Sequence, residues 1–160
     1  MALKTDIRGM VWKYPDTFVV GREQVRQYAT ATKVVDPASY DEEAAAELGH
    51  DAVVAPLTFI SVFALLIQRH FFQNVDVGLE AMQIVQVDQV LKFRKPIHAG
   101  DTLYCDVYVD SIRQGHGTDI IVTKNIVTNE KGDVVQESYT TLAGRAPEDG
   151  EEGGFNDGVA

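Results

Sequence analysis

The chain has 160 residues (17.6 kDa), 45% of them apolar and 24% charged, which fits one globular domain able to bury a substantial core. Its 24 acids against 14 bases give a net charge of −10, and five of the acids (Glu148, Asp149, Glu151, Glu152, Asp157) follow Arg145. With no Lys/Arg run longer than two, nucleic-acid binding driven by phosphate contacts is excluded.

In chain order, the opening MALKTDIRGM has no apolar run after its charges and predicts no secretory signal. Val25, Tyr28 and Ala29 are spaced as one face of a short helix over 21–29. Asp36-Pro37 breaks it. Asp41 is placed to cap a helix over Glu42–Leu48 that Gly49 ends. Ala52–Gln68 is the longest uncharged stretch, 17 residues that include Pro56, Thr58, Ser61 and Gln68. It falls short of the ~20 apolar residues of a membrane span and is read as a buried helix running on to Phe72, with Pro56 in its first turn. Phe59–Phe72 is apolar around nearly its whole circumference, so it must be covered on all sides.

The second half reads as β-structure. Gln83–Arg94 alternates in part, and Pro96–Asp101 carries turn residues. Leu103, Cys105, Val107 and Val109 then line one face of a strand. Thr118–Thr128 and Val134–Ala143 flank a hairpin turn at Asn129–Asp133. The expectation is α+β: a four-stranded antiparallel meander wrapping one long helix, whose remaining apolar face is covered by a partner subunit.

Several segments resemble the MaoC-like (R)-specific hydratase/dehydratase family, which implies the hot-dog fold: Val53–Phe59, Gln86–Gln89, Lys95–Leu103 and Ala143-Gly144. More narrowly, MALKTDIRGM, IVQVDQVLKF, AGDTLYCDVYVDS, IIVTKNIVTNEKGD and YTTLAGRA are similar to the non-catalytic A and C subunits of mycobacterial-type (3R)-hydroxyacyl-ACP dehydratases. The resemblance implies a hot-dog domain over residues 1–146. The acidic, Gly-rich segment 147–160 is expected to be a disordered tail.

Catalytic members of the family carry Asp-x-Asn-Pro-x-His, a positioned acid/base pair that removes the α-proton and protonates the departing hydroxyl. Here Val34 stands at the Asp position, Asp36 at the Asn, Pro37 keeps the proline and Ser39 stands at the His. Neither Val34 nor Ser39 can do that work. The resemblance therefore implies a subunit with no catalytic residue of its own, paired with a B-type hot-dog subunit that bears the motif. The pair would convert 3-hydroxyacyl-ACP to trans-2-enoyl-ACP and water without a cofactor, in type II fatty-acid and mycolic-acid elongation. Pro56, Leu57, Ser61, Val62, Leu65, Gln86 and Val87 are the expected acyl-channel lining, and Arg69, Lys92, Arg94 and Lys95 the expected docking patch for acyl carrier protein.

The alternatives are a hot-dog thioesterase and a non-enzymatic acyl-binding or regulatory dimer. A thioesterase needs a carboxylate on or near the central helix; Leu57–Phe72 has none, and Asp51 lies upstream. His50 is expected in solvent, His70 in helix-end packing, His98 in a structural turn and His116 in a loop. No histidine pair has metal-ligand spacing with a carboxylate, so no metal is expected. Cys105 is read as a buried, inert thiol in a cytoplasmic, reducing setting.

Overall fold

The computed structural model describes residues 4–78, 83–115 and 118–145. In order, the chain forms β1 (Val11–Lys13), β2 (Phe18–Val19), α1 (Arg22–Ala31), a 3-10 turn at Pro37–Ser39, α2 (Glu42–Glu47), a second 3-10 turn at Leu57–Phe59, α3 (Ile60–Asn74), β3 (Gln83–Phe93), β4 (Thr102–Gly115), β5 (Thr118–Thr128) and β6 (Val134–Arg145). His116 and the tail from residue 147 lie outside the described residues.

Helix starts follow local chemistry. Asp41 accepts the Ala44 amide at 3.0 Å, and the chain leaves α2 through Gly49 at φ +84°. Arg22 hydrogen-bonds the Glu42 carboxylate, tying α1 to α2 and holding the Glu42 carboxyl down at about 2. At the surface that contact adds little stability.

Helix α3 is the centre of the molecule. Ile60, Phe63, Ile67 and Phe71 form its buried stripe. The sheet packs on one side of it through Leu103, Cys105, Val107 and Val109 of β4, Ile121 of β5 and Leu142 of β6. The amino-terminal segment closes the other side: Tyr14 meets Phe63 edge-on at 5.5 Å, Phe18 stacks on Phe63 at 4.9 Å, and Trp12 packs against Phe71 and His70. Aromatic pairs at these separations add to the area they bury.

The strands run antiparallel in the order β1-β4-β5-β6-β3, and β2 pairs separately with β4. This corrects the expected meander. β3 does not turn back beside β4; it lies at the far edge, paired with β6 from Gln83↔Arg145 to Phe93↔Gln136. The reason lies in 96–101. Its backbone is hydrogen-bonded elsewhere, with Ala55 N–H to Ile97 O at 2.8 Å, Ala99 N–H to Val53 O at 2.9 Å and Gly100 N–H to Val20 O at 2.8 Å. The segment is a crossing strap under the start of the central helix and not a hairpin. Gly100, at φ +94°, makes the turn that a β-carbon would strain.

Candidate functional site

The loop from α1 to the first 3-10 turn holds Val34, Asp36, Pro37 and Ser39, the residues that the resemblance sets against the Asp-x-Asn-Pro-x-His motif. Asp36 caps the turn by accepting the Ala38 amide at 3.0 Å, and the Tyr40 hydroxyl donates to the Val34 carbonyl at 2.7 Å. Ser39 is buried, and its hydroxyl donates to the Val54 carbonyl at 2.9 Å. The loop is thus well ordered by its own bonds, yet it presents a methyl-bearing side chain and a hydroxyl engaged with backbone. Beside it, the Tyr28 hydroxyl lies 2.9 Å from both the carbonyl and the hydroxyl oxygen of Thr58, steadying the entry to α3.

Between α3 and the sheet lies a cavity of about 240 Å³, lined on the helix side by Ser61, Ala64, Leu65, Ile67, Gln68, Phe71 and Phe72. Its other wall is unusual for a core: Gln86 and Gln89 of β3, Thr123 and Asn125 of β5, and Thr140 of β6, with Val107. Register explains the cluster. Thr123 faces Thr140, Asn125 faces Ser138, and Gln89 faces Thr140 from the other side, so polar side chains share one inward face of three strands. Thr123, Asn125, Ser138 and Thr140 are all buried, and Gln136 continues the stripe with both amide atoms buried and without a partner. Stripping three buried hydroxyl or amide groups of all partners costs about 3–9 kcal/mol. That offsets the burial of roughly four to eleven methylenes at ~0.8 kcal/mol each. A plain hydrocarbon gains little from reaching this floor.

Of the residues expected to line a channel, Ser61, Leu65 and Gln86 lie on this cavity; Pro56, Leu57, Val62 and Val87 are not on its wall. Leu57, Leu65 and Val87 are mostly exposed (65%, 62% and 55%), at the helix entry, at the mouth of the cavity and on the edge strand. Leu66, Val85, Val90 and Phe93 are also exposed, and β3, whose ladder runs only along β6 among the described residues, leaves an open edge able to take a further strand.

The basic residues each have their own surroundings. Arg94 pairs with Glu137 at 3.1 Å and Lys95 with Asp133 at 2.7 Å. Lys92 lies over the Tyr139 ring at 5.0 Å, on the outer face of the sheet, while Arg69 is exposed on α3. His50 differs from expectation: it is half-buried, with Nδ1 2.9 Å from His98 Nε2. The strap brings His98 to it, a contact that spacing along the chain does not signal. His70 packs between Trp12 and Tyr14. Among the described residues no three His, Cys, Asp or Glu side chains are grouped to hold a metal, and no helix is long and apolar enough to cross a membrane.

Cys105 is buried on the inner face of β4, and burial, with a smaller push from Asp106, raises its thiol to about 12. The folded protein holds the proton more tightly than the unfolded chain, so this contribution to stability is complete below pH 9 and is lost as pH rises towards 12. The native thiol should therefore resist a thiol reagent at pH 8 and react at once in denaturant; rapid labelling of native protein would refute its burial.

Reasoning from sequence missed the polar floor. The signal was present as parity: Thr123 and Asn125, like Gln136, Ser138 and Thr140, recur every second residue in strands otherwise rich in Val and Ile.

Residues 8–138 match the family model described as FAS1-like, dehydratase domain region. A UPF0336 protein of Mycobacterium tuberculosis strain H37Rv is 61% identical over 160 residues, the whole of both chains. A second UPF0336 protein of that organism is 57% identical over 145 residues, covering 91% of this chain and 87% of the relative. Among solved structures, the C-terminally truncated HadBC (3R-hydroxyacyl-ACP dehydratase) complex of M. tuberculosis contains a similar chain, with a TM-score of 0.80 and 54% identity over 88% of this chain and 99% of that one.

Proposed function

Since the chain belongs to the FAS1-like dehydratase family of MaoC-like hot-dog proteins, we propose that it is the non-catalytic, substrate-channel subunit of a heteromeric (3R)-hydroxyacyl-ACP dehydratase. In the reaction, the proton at C2 and the hydroxyl at C3 of the 3-hydroxyacyl thioester leave together as water, and the trans-2 double bond forms between those carbons. A partner carrying Asp-x-Asn-Pro-x-His supplies the proton transfers. This chain supplies a wall of the acyl channel around Ser61, Leu65 and Gln86, with Pro56, Leu57, Val62 and Val87 at its approach and at the seam with the partner.

This reading is supported by the loop in which the resemblance sets Val34 and Ser39 against the motif's Asp and His: the Ser39 hydroxyl there is buried and engaged by the Val54 carbonyl. The open edge of β3 supports a partner of the same fold, because an edge strand this long needs a second strand along it. Docking of acyl carrier protein falls to Arg69, Lys92, Arg94 and Lys95. Arg69 and Lys92 carry the larger share, because Arg94 and Lys95 are already paired with acids.

Co-expression with a motif-bearing hot-dog chain tests the proposal by native mass measurement. A one-to-one heteromer that dehydrates 3-hydroxyacyl-ACP is expected. A chain that ignores the partner and hydrolyses acyl thioesters by itself would be a thioesterase instead.

A further inference from the structure

The acyl-channel reading leaves open where the channel ends, and the two walls of the cavity differ in chemistry. At the mouth Leu65 is exposed beside Ser61, Gln86 and Gln89, whereas the floor, made by Thr123, Asn125 and Thr140, is buried and wholly polar. Among the described residues these side chains make no hydrogen bond to another part of the chain. No charged group lines the cavity, so it has no counter-ion for a carboxylate or a phosphate. Its size admits roughly eight waters, each able to serve two or more of these groups.

We propose that Thr123, Asn125 and Thr140 are a polar stop that ends the acyl channel and sets the longest chain the complex accepts. This inference rests on the dehydratase-subunit reading. The methyl end of a short chain lies against Leu65 and Phe72 and leaves the floor hydrated; a longer chain must strip that floor, and nothing on the chain replaces the lost hydrogen bonds. Selection against length thus comes from desolvating fixed polar groups rather than from a steric plug.

The test compares wild type with Asn125→Leu and with Thr140→Val, which keeps the side-chain shape, in the co-expressed complex. Activity is measured on a series of 3-hydroxyacyl thioesters of increasing length. In both variants the ratio of kcat/KM for the longest to the shortest substrate should rise about 10-fold or more. An unchanged ratio in a folded, active variant overturns the stop. So does a wild-type preference for chains bearing a hydroxyl or keto group near the end over plain chains of equal length, since the floor would then be recognising the chain. A second measurement needs no dehydration: a long-chain fluorescent fatty acid titrated into the full chain should bind Asn125→Leu about 10-fold more tightly than wild type. Equal binding refutes the stop even if the complex is an active dehydratase. Tighter binding supports it even if the complex is inactive.

Discussion

Purified alone, the chain should hydrate crotonyl and longer enoyl thioesters no faster than buffer, and adding a partner with the Asp-x-Asn-Pro-x-His residues should raise the rate by about 10³-fold or more. The reason is chemical. Removing a proton from the carbon beside a thioester and protonating a departing hydroxyl each need a group that titrates near neutrality, and a valine and a backbone-bonded serine offer neither. Restoring half the pair should not help. Ser39→His places an imidazole where a buried hydroxyl was, still without a carboxylic acid at Val34. Progress curves for wild type, Ser39→His and the complex, at matched concentration, decide the matter. Turnover by the isolated wild-type chain would mean that proton transfer resides in this polypeptide, and the role assigned to it would fall.

The second large effect concerns assembly. Replacing both Leu65 and Val87 with Glu should weaken association with the partner at least ~100-fold, equivalent to about 2.7 kcal/mol. The unfolding midpoint of the free chain should hardly move. The two side chains are mostly exposed in the free chain, so charging them disturbs little there. Once covered, each would bring a carboxylate into an apolar contact, a penalty larger than the burial it replaces. Analytical ultracentrifugation for association and chemical denaturation for stability separate the two effects. If association survives, the partner binds on another face.

Much of the fold could be read in advance, and what could not has identifiable causes. The bounds expected for β5 match those observed, because alternation and a hairpin turn are local properties. β4 faces its Leu103, Cys105, Val107 and Val109 inwards as parity requires. The central helix was legible from an uncharged run, although it extends to Asn74, two residues beyond the expected Phe72. Strand order was not legible, since periodicity says which face a strand buries and nothing about which strand lies beside it. β1 and β2, of three and two residues, are too short to show a period. The cavity's polar floor was not legible either, because Thr123, Asn125 and Thr140 are unremarkable singly and become a group only through cross-strand register.

The position of β3 at the far edge also bears on how the protein reaches its native state. Its ladder joins Gln83 to Arg145, and the opposite edge joins Val11 to Tyr108, so both ends of the sheet close by joining segments remote along the chain. Such contacts are slow to form because loop closure comes before any gain. β3 finds its neighbour only after β6 has left the ribosome, so its backbone is open to aggregation throughout the synthesis of the strands between them.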